Sequence, residues 1–286
     1  MLGKLIKYEF KATYKFMTML YAVLLIVSLL SGIGNYFGEY RLQGFYAEES
    51  LRESVVIEVF RAFMTVVFVI MMFAVIGSVF FYYMSRFKKT LLGDAGYLYH
   101  TLPVKVHDHI ISKVLMTVVW SLVSGIVAVI SFLIMFSVMY GDMTMVIKEI
   151  SSILEYLLNY IKRDVLSFVI EIIRGVLSVI VLYLMIYTSM SVGYSSNTHR
   201  AWKSVGVYVL ISFINSMVSS VADKITFGMI SNIDTGSYYF DIIETWALLD
   251  YYRTPGLIID VVHYIILAVA LFFITRYFLK NKLNLQ

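Results

Sequence analysis

Asp260 and His263 are ionisable side chains within a long apolar stretch of this sequence. They interrupt the apolar stretch Thr254–Thr275 and stand one helical turn apart, so they could share a helix face. Ionisable side chains inside a membrane segment are candidates for a transport path. Asp260 is also only a few residues from the end of its stretch, where a carboxylate could reach water. Both interpretations stay open: solvation at the membrane surface, or a place in a transport path.

Motifs for covalent, metal or nucleotide chemistry are missing from the sequence. It has no cysteine, which excludes disulfides, thiolate metal sites and a cysteine nucleophile. It also has no His-Glu-x-x-His metalloprotease motif and no Gly-x4-Gly-Lys-Ser/Thr phosphate loop. The Gly-Tyr-Ser-Ser run at 193–196 resembles a serine-protease motif only loosely and is predicted to be a turn. We therefore expect a chain that is not an enzyme and holds no metal or cofactor.

The composition is that of a membrane protein. Of the 286 residues, 60% are hydrophobic and 15% are charged, whereas about 25% are charged in an ordinary soluble domain. The mean hydropathy is +0.82. So few charged side chains cannot cover the surface of a soluble fold of this length. The composition excludes a soluble enzyme and a disordered chain, and it indicates an integral membrane protein.

Six apolar stretches predict an all-α membrane domain with six transmembrane helices. Each stretch can supply the roughly 20 residues that cross about 30 Å of hydrocarbon. Lys and Arg are about twice as dense in the segments that would be cytoplasmic with the N-terminus inside, which predicts cytoplasmic termini. We expect one membrane domain over 1–286. The predicted helices cover about residues 16–37, 62–85, 114–140, 175–198, 204–222 and 256–277.

Two further segments are predicted to be amphipathic helices. Residues 1–16 place four lysines on one face and apolar residues on the other, which is typical of an interfacial elbow helix on anionic headgroups. Glu9 falls on the apolar side, either as an acid tolerated near a helix end or as a contact with a partner or a basic loop. The outer segment 140–174 has apolar residues at helical spacing. The four lysines are Lys4, Lys7, Lys11 and Lys15.

The predicted cytoplasmic segment 85–104 is unusually apolar for a loop in water. Gly93 and Gly96 interrupt its helical pattern and Pro103 ends it. Such a segment is suited to docking onto headgroups or into a groove of a partner protein. Its candidate coupling residues are Arg86, Leu91, Leu92, Asp94, Gly96, Tyr97, Leu98, Leu102 and Pro103.

At this segment the chain resembles the permease subunit of type-2 ABC exporters. Asp94, Gly96 and Tyr97 occupy the acid, Gly and Thr positions of the family's loop, and Leu102-Pro103 matches its Leu-Pro. Ser112-Lys113 replaces its Gly-Lys. The substitutions at Tyr97 and Ser112 look like a Gram-positive subgroup, which also begins with a stretch like Leu5–Lys11.

The resemblance implies an ATP-driven exporter of the bacterial plasma membrane. Its expected partners are a cytoplasmic ABC ATPase, which would hold ATP and Mg, a second permease as a homodimer or heterodimer, and membrane lipid, but no nucleic acid. An apolar path between two permease copies would suit efflux of an amphipathic or hydrophobic peptide, lipid or drug. The alternative is a non-transporting membrane module, such as an immunity or sensor component. An intramembrane enzyme or half of a secondary carrier is disfavoured by the scarcity of charges within the predicted spans.

Overall fold

The structure is a computed structural model and describes residues 2–44, 51–93, 96, 104–141, 143–196, 198–231 and 242–282. Every regular element in these ranges is helical. A short π-helical turn, Lys88–Leu92, extends α2. The α-helices are α1 (Leu2–Gly44), α2 (Leu51–Phe87), α3 (Val106–Tyr140), α4 (Met143–Arg163), α5 (Val165–Tyr194), α6 (Arg200–Ser231) and α7 (Ile242–Asn281).

Six of these helices, all except α4, contain a segment long and apolar enough to cross a membrane. The prediction of an all-α chain with six such helices is confirmed. The helical segments extend beyond the predicted spans at several ends, as in α5, where the segment Val165–Tyr194 starts ten residues before the predicted span. The reason is that a sequence span stops at the first charge, whereas a helix continues as long as its backbone hydrogen bonds are made.

The predicted elbow is not a separate helix in this structure. Residues 2–44 form one continuous helix, and residues 4–16 contain neither a proline nor a glycine that would end it. The four lysines are exposed, as the amphipathic pattern predicts. Glu9 is only 5% exposed and continues with Thr13 and Met17 into the packed stripe of α1, at a spacing of four residues. The acid thus lies on the packed face of the helix.

Helix α4 confirms the periodic signal in segment 140–174. It ends at Arg163, and the Asp164 side chain accepts a hydrogen bond from the backbone N–H of Ser167 at 2.9 Å, which caps the start of α5. Much of its apolar face is exposed, as at Ile147 and Leu154. The break between α4 and α5 therefore follows from a single capping residue.

The chain divides into two compact units. The N-terminal unit comprises Gly3–Tyr83 and Val119–Leu158, and the C-terminal unit comprises Met1–Leu2, Met84–Val118 and Asn159–Gln286. Whether the chain acts as one membrane domain stays a prediction.

Small residues and buried hydroxyls hold the N-terminal unit together. A Cβ added at Gly32 of α1 would lie 2.7 Å from the Val138 Cβ of α3, so the two helices touch there through backbone. The Tyr21 hydroxyl and the Ser124 hydroxyl are 2.7 Å apart, and the Trp120 indole N–H donates to the Thr13 hydroxyl at 2.9 Å. These contacts fix α1 against α3 at several points along their length.

The C-terminal unit is built around α5, whose residues from Tyr183 to Ser191 are all buried. Gly193 allows α6 to begin against α5, because an added Cβ would lie 2.5 Å from the backbone nitrogen of Ser204 and 2.7 Å from its Cα. The predicted turn after this glycine is present, since the N–H of Ser196 donates to the Gly193 carbonyl at 3.4 Å. This unit carries the polar contacts described next.

Candidate functional site

An ion pair joins α5 to α7 within their apolar segments. The Arg174 guanidinium donates to the Asp260 carboxylate with an Nη1–Oδ2 distance of 2.9 Å. The side chains are 39% and 32% exposed, so each charge is covered mainly by protein and by its partner. Asp260 was predicted as a candidate, but its partner was not.

His263 connects the same turn of α7 to α6. Its Nε2 lies 2.9 Å from the Asn215 side-chain oxygen. Because an amide oxygen only accepts, Nε2 is the donor when it carries the ring proton. One turn of α7 therefore bonds to both neighbouring helices, through Asp260 to α5 and through His263 to α6. We call Arg174, Asn215, Asp260 and His263 the polar layer.

Hydroxyl contacts extend the seam between α5 and α7 on both sides of the polar layer. The Ser167 and Thr254 hydroxyls are 2.5 Å apart near the start of α5. Further along, the Thr188 and Thr275 hydroxyls are 2.7 Å apart. Each is also within hydrogen-bond distance of the Leu271 carbonyl oxygen, so each can donate either to that oxygen or to the other hydroxyl. The polar layer thus belongs to a continuous seam in which the carboxylate is matched by a guanidinium. Such an arrangement suits holding or switching helices better than carrying a lone proton.

The predicted cytoplasmic segment is fixed to α5 at its beginning. The Phe87 ring, which is fully buried, stacks on the Tyr187 ring with a centroid distance of 4.1 Å and an interplanar angle of 6°. The Tyr187 hydroxyl lies 3.2 Å from the Thr117 hydroxyl of α3. The Lys88 ammonium stands 5.7 Å from the centre of the Tyr194 ring. We call Phe87, Lys88, Thr117, Tyr187 and Tyr194 the loop junction.

The described coupling candidates are close to this junction along the chain. Arg86 lies in the last turn of α2. Leu91 and Leu92 belong to the π-helical turn and are 1% and 4% exposed, so they pack within the chain and do not offer a docking surface in this conformation. The Gly96 N–H donates to the Gly93 carbonyl at 2.7 Å. The remaining candidates lie outside the described residues: Asp94, Tyr97, Leu98, Leu102 and Pro103.

Several residues of these sites have no distinctive signal in the sequence. Arg174 comes just before the predicted span, because that span was ended at the first charged residue. The apolar segment Val165–Tyr194, whose bounds allow a few charged residues, includes it. Asn215 is neutral, so it does not interrupt its apolar stretch as a charge would. Phe87 and Tyr187 are aromatic residues in apolar runs and resemble many others. Lys113, which follows Ser112 in α3, is 2% exposed.

Comparisons of this chain with models of known protein families, with curated proteins and with solved structures give no match. The sequence and the contacts above are therefore the basis for assigning a function.

Proposed function

We propose that this chain is the permease subunit of an ATP-driven type-2 ABC exporter in a bacterial plasma membrane. The six apolar helices supply the membrane part of such a subunit. The sequence resemblance at 1–16 and 85–113 supports this family, in which both termini would be cytoplasmic. The chain has no phosphate loop of its own, so ATP and Mg would be bound by a separate cytoplasmic ATPase.

The loop junction is the observation that carries this proposal. An exporter must convert closure of its ATPases into movement of membrane helices, and this requires a cytoplasmic element that is rigidly attached to a span. The stack of Phe87 on Tyr187 attaches the start of segment 86–104 to the middle of the buried face of α5. A force on that segment would therefore act on α5 directly.

The polar layer gives that force a route to α7. Helix α5 is bonded to α7 through the Arg174–Asp260 ion pair and the Thr188–Thr275 hydroxyls. A two-state membrane bundle alternates when a ligand or partner binds one state better than the other. We infer that the ATPase supplies this bias through the loop junction. A second permease copy would complete an apolar path for an amphipathic or hydrophobic cargo.

Affinity purification of the tagged chain from its native membrane tests the proposal, with identification of the proteins that accompany it. We expect an ABC ATPase in the purified sample. The double change Leu102→Asp and Pro103→Ala should reduce the amount of ATPase recovered at least tenfold, because it alters the segment proposed to dock.

A matched control is Leu154→Asp on α4, which places a new carboxylate at a site that is 54% exposed but far along the chain from the docking segment. This variant should retain the ATPase. A wild-type chain that purifies folded and without an ATPase would overturn the proposal and favour the non-transporting membrane module.

A further inference from the structure

An apolar groove of about 270 Å³ lies between α3, α5 and α7 in the C-terminal unit. All of its lining side chains are hydrocarbon or aromatic, including Ile111 and Leu115 of α3, Leu184 of α5, and Ala268 and Phe272 of α7. The groove lies within segments that are apolar enough to span a membrane. In that setting its natural contents are hydrocarbon, because water would find no hydrogen-bond partner on its walls.

The groove lies near one end of the helices that form it. Ile111 is five residues after the start of α3, which corresponds to about 8 Å, and Phe273 is eight residues before the end of α7, or about 12 Å, at 1.5 Å per residue. Such distances place it within one leaflet of a bilayer, beneath the headgroups.

Positive charge continues the α7 wall of the groove towards that end. Arg276 follows Phe272 by four residues and Lys280 follows Arg276 by four, so the three share a face of the helix. Lys280 is exposed and Arg276 is half-buried. On α3 the next turn carries His107 and Asp108, whose Nε2 and Oδ1 atoms are 3.5 Å apart. The two cations Arg276 and Lys280 outnumber this one acid, so these residues give the mouth of the groove a net positive charge.

We propose that this groove is a binding site for an anionic phospholipid, with one acyl chain between α3 and α7 and the phosphate at Arg276 and Lys280. The charge complementarity of the mouth selects a lipid with net negative charge over a zwitterionic one. The proposal does not depend on the transporter assignment.

Native mass spectrometry of the full chain in detergent tests the site. The probes are phosphatidylglycerol and phosphatidylcholine with identical acyl chains, added separately at increasing concentration. We expect tighter binding of phosphatidylglycerol. The double change Arg276→Gln and Lys280→Gln should reduce this preference by roughly fivefold per charge. The control pair Lys148→Gln and Lys162→Gln, at exposed positions of α4, should leave it unchanged.

A second pair of variants tests the acyl-chain part. Ala268→Leu fills the groove and should weaken binding of both lipids, whereas Ala270→Leu, at an exposed position on the same helix, should not. Circular dichroism and the melting temperature establish that each variant is folded. Equal binding of the two lipids by the wild-type chain would overturn the proposal. So would an unchanged preference in the Arg276 and Lys280 variant, or a dimer that excludes lipid and is lost in Ala268→Leu.

Discussion

The contact between α1 and α3 in the N-terminal unit and the polar layer in the C-terminal unit hold helices together with different chemistry. In the N-terminal unit, α1 and α3 meet through Gly32 and through buried hydroxyl and indole groups such as those of Tyr21 and Trp120. In the polar layer of the C-terminal unit, α7 meets its neighbours through an ion pair and a histidine that are only partly covered, Asp260 and His263. The Thr188–Thr275 contact of the same unit is buried, like the hydroxyl contacts of α1 and α3.

This difference bears on which contacts can change during function. Close backbone contact allows little sliding, because packed side chains have few alternative arrangements. A charged or polar pair near the end of a span, as at Asp260, can exchange partners at a smaller cost, since water or another polar group can replace the lost contact there. We therefore expect the polar layer to be an adjustable helix contact and the contact between α1 and α3 to be a fixed one.

Removing one member of the ion pair should have the largest effect on stability. Asp260→Ala leaves the Arg174 guanidinium without its carboxylate. Loss of one partner costs 3–5 kcal/mol when the pair is fully buried, so about 2–3 kcal/mol is expected at this partial burial. Equilibrium unfolding in a detergent mixture measures the change.

The double variant Arg174→Met with Asp260→Leu distinguishes the loss of the ion pair from the cost of leaving the Arg174 guanidinium unpaired. It should regain most of the loss, because an apolar pair is often as stable as an ion pair in the same place. A double variant as unstable as the single one would show that the ion pair itself, and not the uncompensated charge, holds α5 to α7.

Gly32→Ala should be next in size, at about 2 kcal/mol, because overpacking a tight contact typically costs 1–3 kcal/mol. The added methyl group would lie 2.8 Å from the Met135 carbonyl oxygen as well as against Val138. The matched change Gly125→Ala meets nothing within 4 Å and should be neutral or slightly stabilising, since alanine favours helix over glycine. Thermal unfolding of both variants checks this, and equal melting temperatures would contradict the close contact.

Trp120→Phe should cost about 1 kcal/mol, which is the usual net value of one hydrogen bond. The change keeps an aromatic ring against Phe10, whose centroid lies 5.5 Å from that of Trp120, but removes the donor to the Thr13 hydroxyl. Thr13→Val removes the acceptor instead. The two single changes should be less than additive in the double variant, and full additivity in unfolding measurements would argue against this bond.

Asn215→Leu should have the smallest effect, about 0.6 kcal/mol, the average for a polar contact between membrane helices. It removes the partner of His263 without creating a charge. A loss as large as that of Asp260→Ala would mean that both contacts of α7 are equally rigid, and the proposed contrast between the polar layer and the contact of α1 with α3 would then be reduced.

The helices could be predicted well from the sequence because their signal is local. Apolar runs predicted the six long helices, and periodic residues predicted α4, since both patterns depend on neighbouring residues. The continuity of α1 was missed because the change from an amphipathic to an apolar sequence shows where the surroundings of the helix change from the membrane surface to its interior. It does not show where the backbone hydrogen bonds of the helix stop. Glu9 shows the same limit, as its burial depends on packing that one helix alone does not reveal.

The candidate site was predicted only in part, for the same reason. Asp260 and His263 were found because charge within an apolar run is visible in the sequence. Their partners Arg174 and Asn215 are 86 and 48 residues away along the chain, and nothing in a single sequence pairs residues at that distance.

The proposed function depends on one step, in which closure of the partner ATPases on ATP moves the membrane helices through the loop junction. The decisive measurement is ATP hydrolysis by the affinity-purified complex, with Phe87→Leu compared with Phe81→Leu, a change on the same helix at a residue that is 64% exposed. We predict hydrolysis in the wild-type and Phe81→Leu complexes. The Phe87→Leu complex should retain its ATPase but hydrolyse ATP about tenfold more slowly, equivalent to about 1.4 kcal/mol of lost coupling. Wild-type samples without hydrolysis, or equal rates in all three, would contradict coupling through the loop junction.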